Sequence, residues 1–451
     1  MTCAHRIAAS FAIVLCAIVA GGQAVATPAA VTAGSSTTGG VVSGTRILTV
    51  TNLDDEGNGS FRWALAAKGP RVVVFGVGGV IRLKSDLRIR NPDVTIAGQT
   101  APDPGITVTG GSLRINAHDV VVQHIAIRPG PANSAKLNDN RDGISINGQR
   151  ENASYAVRVE NVSVSWSVDE ALSTWYATTR DVTIRNSIVA QALRSAGHSK
   201  GQHSMGLLVG KHTTGIEVTG NLLASNVHRN PVMGAGSSAF VANNYIVNPG
   251  LNAIHFYSHD GSKKVSTVPT LATVVENVVV AGPSTSKGMN AVRIPADMAK
   301  LSPDARLFIE GNLLKGRDKN TAISNGSRLP LLQAPAITAI GWKVMPARDV
   351  EDHVLRYAGS RPSKRNAVDA RLIDDIAHGR ERIIDDPGEG GGVAVPSEVR
   401  GRLDIPPDPD GATQLGMSRL AAWLCLKHLE VGGPPTPECA LDTSALWSAL
   451  L

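Results

Sequence analysis

A nine-residue phrase recurs through the middle of the chain: apolar, any, apolar, any, Asn or Gly, any, then a pair usually apolar. It reads VTIRNSIVA from Val182, IEVTGNLLA from Ile216, FVANNYIVN from Phe240, TVVENVVVA from Thr273 and LFIEGNLLK from Leu307. Looser copies start at Val94, Val120 and Val157, and from Val157 onward the starts lie 25, 34, 24, 33 and 34 residues apart. Such a period marks a solenoid, because no single turn can bury its apolar face alone. Each phrase alternates like a strand, and its Asn or Gly stands where the backbone must bend sharply, often through positive φ. A constant phrase at variable spacing means a constant rung with variable loops on one side. The pattern therefore predicts a parallel β-helix.

The first residues read as an export signal. Arg6 gives a sparse positive start, Ala8 to Ala20 an apolar stretch, and Ala24-Val25-Ala26 a small-residue cleavage site. Those thirteen residues are too few to span a bilayer, and no later run is longer, so no membrane anchor is expected. Cleavage near Ala26 would make the protein secreted, extracellular or periplasmic. It would also remove Cys3 and Cys16, leaving Cys425 and Cys439 as either one disulfide or two separate thiols. The formal charge is +6, and loss of Arg6 lowers it by one. That mild excess suits a polyanion. Aromatic residues make up 4%, which argues against a reader of single-stranded nucleic acid.

Residues 27–45 are small and polar and are expected to be a disordered leader. Ser60 is a candidate N-cap for a short amphipathic helix that would plug the open apolar end of the coil. The coil itself is expected over 46–330. A charged, partly helical extension over 331–385 would pack on its outside. Residues 386–451 read as a linker followed by a helical tail, which would cap the far end or lie on the surface.

Stacked rungs put equal offsets in one column. Asp169 lies twelve residues after the Val157 start and Arg229 thirteen after Ile216, two rungs apart at nearly one corner. With strands about 4.8 Å apart, their backbones come within roughly 10 Å. Lys200 lies on the long loop of the intervening rung, and Asp142 on the loop before the Val157 rung. Taken singly, each has a plainer reading: Asp142 as a turn former, Lys200 and Arg229 as solvated surface cations. Their shared corner favours one groove wall. His198 and His203 fit no standard zinc spacing and suit structural or substrate hydrogen bonding. Asn186, Asn244 and Asn277 suggest an internal amide ladder.

These stretches also carry a resemblance. DGISINGQ (142–149), VENVSVSWSVDEALS (159–173), DVTIRNSIVAQAL (181–193), GHSKGQHSMGLLVG (197–210) and GNLLASNVHRNPVMG (220–234) resemble successive motifs of the pectate lyases. GQTAPDPGI (98–106) and AGSRPSKRNAVDARLI (358–373) resemble segments of bacterial relatives, so the likeness spans about residues 46 to 385 in order. It implies an all-β fold: a single-stranded right-handed parallel β-helix with a short N-terminal capping helix and a partly helical C-terminal extension. It implies a monomeric polysaccharide lyase that cleaves an acidic polysaccharide, polygalacturonate, by Ca²⁺-assisted β-elimination, with neither nucleic acid nor membrane as partner. By the same resemblance Arg229, in Arg229-Asn230-Pro231, is the catalytic base and Lys200 binds the substrate carboxylate, with Lys211 an open alternative. Asp142 and Asp169, with Glu170, would hold the metal, and His198, His203 and His228 would contact substrate.

The chain departs from that family in its lysine loop, which is longer, and at three further places. Ser173 stands where relatives place a calcium-binding aspartate, Glu160-Asn161 replaces an Asp-His pair, and no second arginine follows within Val232-Met233-Gly234. The other readings are a lyase for methylated pectin or another uronate polymer, a glycoside hydrolase using Asp142 with Asp169 or Glu170, and a polysaccharide-binding coil without catalysis. An arginine side chain is ordinarily protonated below about pH 12 and accepts a proton only where nearby cations and alkaline solution favour its neutral form. The expected rate profile therefore has its optimum above about pH 8. A calcium-dependent activity peaking near pH 5 in a rate-against-pH series would contradict the arginine base.

Overall fold

The computed structural model describes residues 31–149, 151–262, 264–316, 322–393, 398–436, 439 and 443–450. The expected signal segment 1–26 lies outside them. The repeated phrase folds into three parallel sheets that share the coil. The first sheet has ten strands, from Arg46–Val50 to Arg306–Glu310. The second runs from Val77–Arg82 to Leu313–Lys315, and its tenth strand is the antiparallel Val399–Arg400. The third has nine, from Leu87–Ile89 to Ile323–Asn325. Every third strand pairs with its counterpart one turn on, which is the parallel β-helix that the periodicity predicts.

Each phrase contributes its first half to the first sheet and its second half to the second. The bend between them is left-handed at Asn161, Asn186, Gly220, Asn243, Glu276 and Gly311 (φ 48° to 65°). Inward residues such as Val157, Val182, Ile216, Val241 and Val274 are fully buried in one continuous apolar core.

The register corrects two sequence readings. Ile216 pairs with Ala239, Ala239 with Ala272 and Ala272 with Leu307, so the copies begun at Phe240 and Thr273 start one residue late. Because side chains alternate, a one-residue slip exchanges faces. Asn186 consequently belongs to the left-handed column and not to the amide ladder. The ladder is Asn221–Asn244–Asn277–Asn312: each Nδ2 donates to the next Oδ1 at 2.9, 2.9 and 2.8 Å, all buried. Ser187 N donates into its first member at 2.9 Å.

Segments flanking the coil cover two of its three faces. The helix Phe61–Ala66, N-capped by Ser60, inserts Phe61, Ala64 and Leu65 into the core end beside Phe75. Residues 31–45 are not a disordered leader: Val31–Ala33 pairs with Ile337–Ala339, and Ala33, Ile337 and Trp342 pack on outward Phe240 and Phe308 of the first sheet. Those outward aromatics and apolar side chains give the small-residue segment a surface to bury. Helices Ala347–Tyr357 and Ala367–Ala377 cover the second sheet through Val350, Val354 and Leu372. A buried ion pair, Arg128 Nη2 to Asp369 Oδ1 at 2.6 Å, locks the latter helix down.

The tail helix Arg419–Glu430 does not reach the far end of the coil. It returns to the first turns, packing Leu420, Trp423 and Leu424 on Val72, Val74 and Ala97, and Cys425 is disulfide-bonded to Cys439. Among the described residues no helix is long and apolar enough to cross a membrane.

Glu160 lies on the outward side of the first sheet, on the same turn as Asp169 and Glu170 but on a different face of the coil. Burial alone would raise its pKa, but the guanidinium groups of Arg158 (2.9 Å) and Arg185 (3.9 Å) overcome that and hold it near 2. A carboxylate depressed in the fold stabilises it above the unfolded pKa, here 4.5, and that stability is lost as pH falls toward 2. Glu160→Gln should therefore cost about 3 kcal/mol at neutral pH. In thermal melts the gap between variant and wild type should shrink steadily from pH 4.5 downward.

Candidate active site

Only the third sheet keeps an open outer face among the described residues. Its outward file, one residue per turn, runs Arg88, Arg114, Ser145, Ser173, Leu208, Val232, His255, Arg293, Ser324. Strand parity sets these side chains outward, and the loops entering the sheet bring the ionisable groups to its edge. Asp142 precedes strand Ile144–Asn147, Asp169 and Glu170 open Glu170–Trp175, and Arg229 comes just before Val232–Met233. Glu170 pairs in register with Met205, which bridges to His228. The acid corner and Arg229 are thus two rungs apart, as the offsets predict.

Asp142, Asp169, Glu170, Lys200 and Arg229 line one cavity of about 500 Å³, together with Arg114, His203 and Lys211. It adjoins a second of about 530 Å³ walled by Phe256, Tyr257 and Pro295, and the two share Trp175, Lys211 and Arg229. Oxygen atoms of Asp142, Asp169 and Glu170 come within 4.8 Å of one another. Asp142 is buried; that burial, with the charge of Asp169, pushes its pKa up to about 6, although Ser173 Oγ donates to it at 2.7 Å. Ser173, in place of a carboxylate, thus supplies a neutral hydrogen bond. Carboxylates crowded against their own repulsion, all oxygen donors, suit a hard divalent cation.

Arg229 has φ 61°, a region that side chains rarely adopt. Its carbonyl is held by Leu207 N, and Gly206 makes room beneath: a Cβ there would sit 2.6 Å from that oxygen. Its guanidinium forms an ion pair with Glu170 and donates to Tyr257 Oη at 3.3 Å.

The lysine loop is pinned as well. Ser199 donates to Asp139 through N (2.8 Å) and Oγ (2.7 Å). Lys200 N donates to His198 Nδ1 at 3.1 Å. That nitrogen must accept, so the neutral ring carries its proton on Nε2. Burial, and then His203 stacked 3.8 Å away, lower the pKa of His198.

The three histidines expected at the substrate separate. His203 lines the cavity and reaches Asp169 Oδ1 at 2.9 Å, orienting that carboxylate. His198 is buried behind it, with Nε2 aimed at Asp169 from 3.7 Å. His228 also lies off the groove wall, bonded to Asn252 at 2.8 Å and packed on His255. The loop path, not the sequence spacing, leaves these two outside the residues that line the cavity, His198 buried and His228 half-buried.

Sequence reasoning missed Trp175, Tyr257, Arg114 and Arg293. Trp175 stands on an outward position that strand parity identifies, and Tyr257 stands at the rim. Arg293 lies in the outward file two rungs beyond Val232, where its Nη1 donates to Asn252 Oδ1 at 3.2 Å. Val232 and Met233 are buried, so nothing local replaces the missing second arginine.

Comparison with known proteins yields consistent names. A protein of Neosartorya fischeri named as a pectate lyase C is 30% identical over 406 residues, covering 84% of this chain and 88% of its own. A counterpart so named in Aspergillus terreus is 32% identical over 386 residues, covering 82% and 83%. Among solved structures, the cedar pollen allergen Jun a 1 superposes with a TM-score of 0.51 at 17% identity, covering 72% of this chain and 91% of the allergen, a likeness of fold. No protein-family model matches the chain.

Proposed function

We propose that this chain, which belongs to the pectate lyase family, cleaves polygalacturonate by calcium-assisted β-elimination with Arg229 as the base. The observation that carries the reading is the convergence of Asp142, Asp169, Glu170, Lys200 and Arg229 in one groove on the uncovered sheet.

In this reading Asp142, Asp169 and Glu170 would hold Ca²⁺. The ion's chemistry, when bound, is to draw charge from a uronate carboxylate and so acidify the adjacent C5 proton. A nitrogen of Arg229 takes that proton, the electron pair forms the C4–C5 double bond, and the C4–oxygen bond breaks. The departing oxygen gains a proton from solvent. Lys200 or Lys211 neutralises the same carboxylate, more effectively in the transition state than in the ground state. Glu170 bears on both halves, since it pairs with the guanidinium of Arg229 and is one of the carboxylates that would hold the ion. His203 keeps Asp169 oriented for its ligand role. Trp175 and Tyr257 offer apolar faces to sugar rings.

Export is part of the proposal, supported by the leader ending at Ala24-Val25-Ala26 and by the Cys425–Cys439 disulfide. The test is to incubate the purified mature protein with polygalacturonate, with and without Ca²⁺, and follow the ultraviolet absorbance of the unsaturated product. A Ca²⁺-dependent rise is expected. New reducing ends without unsaturation would replace this reading with a hydrolase, and chelator-resistant cleavage of methylated pectin would replace it with a pectin-ester lyase.

A further inference from the structure

A hollow larger than the acid groove opens elsewhere on the coil. It lies over the first coils of the same open sheet, has a volume of about 970 Å³, and is walled by the capping helix on one side and the 131–141 loop on the other. Its cations are Arg62, Lys84, Arg88, Arg90 and Arg141, against the single carboxylate of Asp86. That carboxylate is already committed: Arg114 Nε bonds it at 2.6 Å, while Arg88 and Arg141 stand at 3.9 and 4.0 Å. Arg62 is satisfied by Asp55 and by the carbonyls of Ser85 and Asp86. Lys84 and Arg90 are exposed, and among the described residues no carboxylate lies within ion-pair distance of either. Exposed like charges gathered in a concavity repel one another, so the arrangement is eased by a bound anion.

The hollow is in line with the groove. Arg88, Arg114 and Ser145 are successive members of one outward file, so Arg88 lies two rungs, roughly 10 Å, from the strand that follows Asp142. Arg114 lines the acid groove and Arg141 the hollow, joining the two. At the rim Leu137 is 60% exposed, an apolar surface of the kind a sugar ring covers.

We infer that this basic hollow is a distal binding site for the acidic polysaccharide, holding the carboxylates of uronate units several residues away from the bond being cut. The inference rests on the lyase reading and extends it. The enzyme would then grip long chains by a segment remote from its chemistry, and attack would favour polymer interiors over short ends.

The test is R88A/R90A, two exposed positions whose replacement leaves the core intact, with unchanged melting as the check. The penalty in kcat/KM should grow with chain length, slight on trigalacturonate and about tenfold on long polygalacturonate. It should appear in KM and should narrow in high salt. A parallel measurement records binding of long oligogalacturonate by titration calorimetry, where the variant should bind about tenfold more weakly. Equal penalties at every chain length, or none, would overturn the distal site and leave the lyase reading intact. If the wild type cleaves neither substrate, the lyase reading fails, and the calorimetry still decides whether the hollow binds a uronate chain.

Discussion

Arg229→Ala is expected to lower kcat on polygalacturonate by about 10²–10⁴-fold, the usual contribution of a positioned proton acceptor. Arg229 is only partly exposed, and its left-handed backbone is held by Leu207 N, so removing the side chain leaves the turn's hydrogen bonds in place. Two outcomes separate a base from a binding residue. If Arg229 takes the C5 proton, the loss falls on kcat with KM little changed. If it merely attracts the uronate, the loss falls on KM and Arg229→Lys recovers most of it. Lysine has a different reach and cannot reproduce the planar guanidine, so for a base it should recover little. A variant retaining full kcat would remove the proposed chemistry.

Asp169→Asn should weaken Ca²⁺ binding by about 100-fold and depress activity to match at limiting calcium. Asp169 is the residue common to both groups of metal-capable side chains at this corner, with Asp142 and Glu170 on one side and His198 and His203 on the other. Titration with a luminescent lanthanide ion reads the site without reference to turnover. Chelation of the wild type should abolish lyase activity, and added Ca²⁺ should restore it. Unchanged lanthanide affinity in Asp169→Asn would place the metal elsewhere. A wild type indifferent to chelator would remove calcium from the mechanism.

Much of this site is legible in the amino-acid sequence. The offsets of Asp169 and Arg229 within their rungs predict a shared corner, and the register delivers one: Glu170, Met205 and His228 fall on consecutive turns. Lys200 lies on the intervening loop and lines the same cavity. The histidines show where such reasoning stops. His198 and His203 are five residues apart in one loop and both are buried, yet only His203 lines the groove. Which way a loop side chain turns depends on its contacts with Asp139, Asn138 and Asp169, and none of these is periodic.

The chain by itself determined that it coils. Alternation, a left-handed bend and a buried amide are properties of a few neighbouring residues, and their repetition forces stacking wherever the apolar face must leave water. The order of the acidic, lysine and arginine segments follows from that stacking. Tertiary packing alone decided which faces remain open. Residues 31–45, 332–377 and 419–430 cover two sheets because their apolar side chains meet outward Phe240, Tyr245 and Val72, while the outward file of the third sheet is mostly polar, with arginines toward both ends and serines between. It likewise decided the one-residue register that sets Asn221, and not Asn186, in the amide ladder, since only the partner strand distinguishes two faces that differ by a single step.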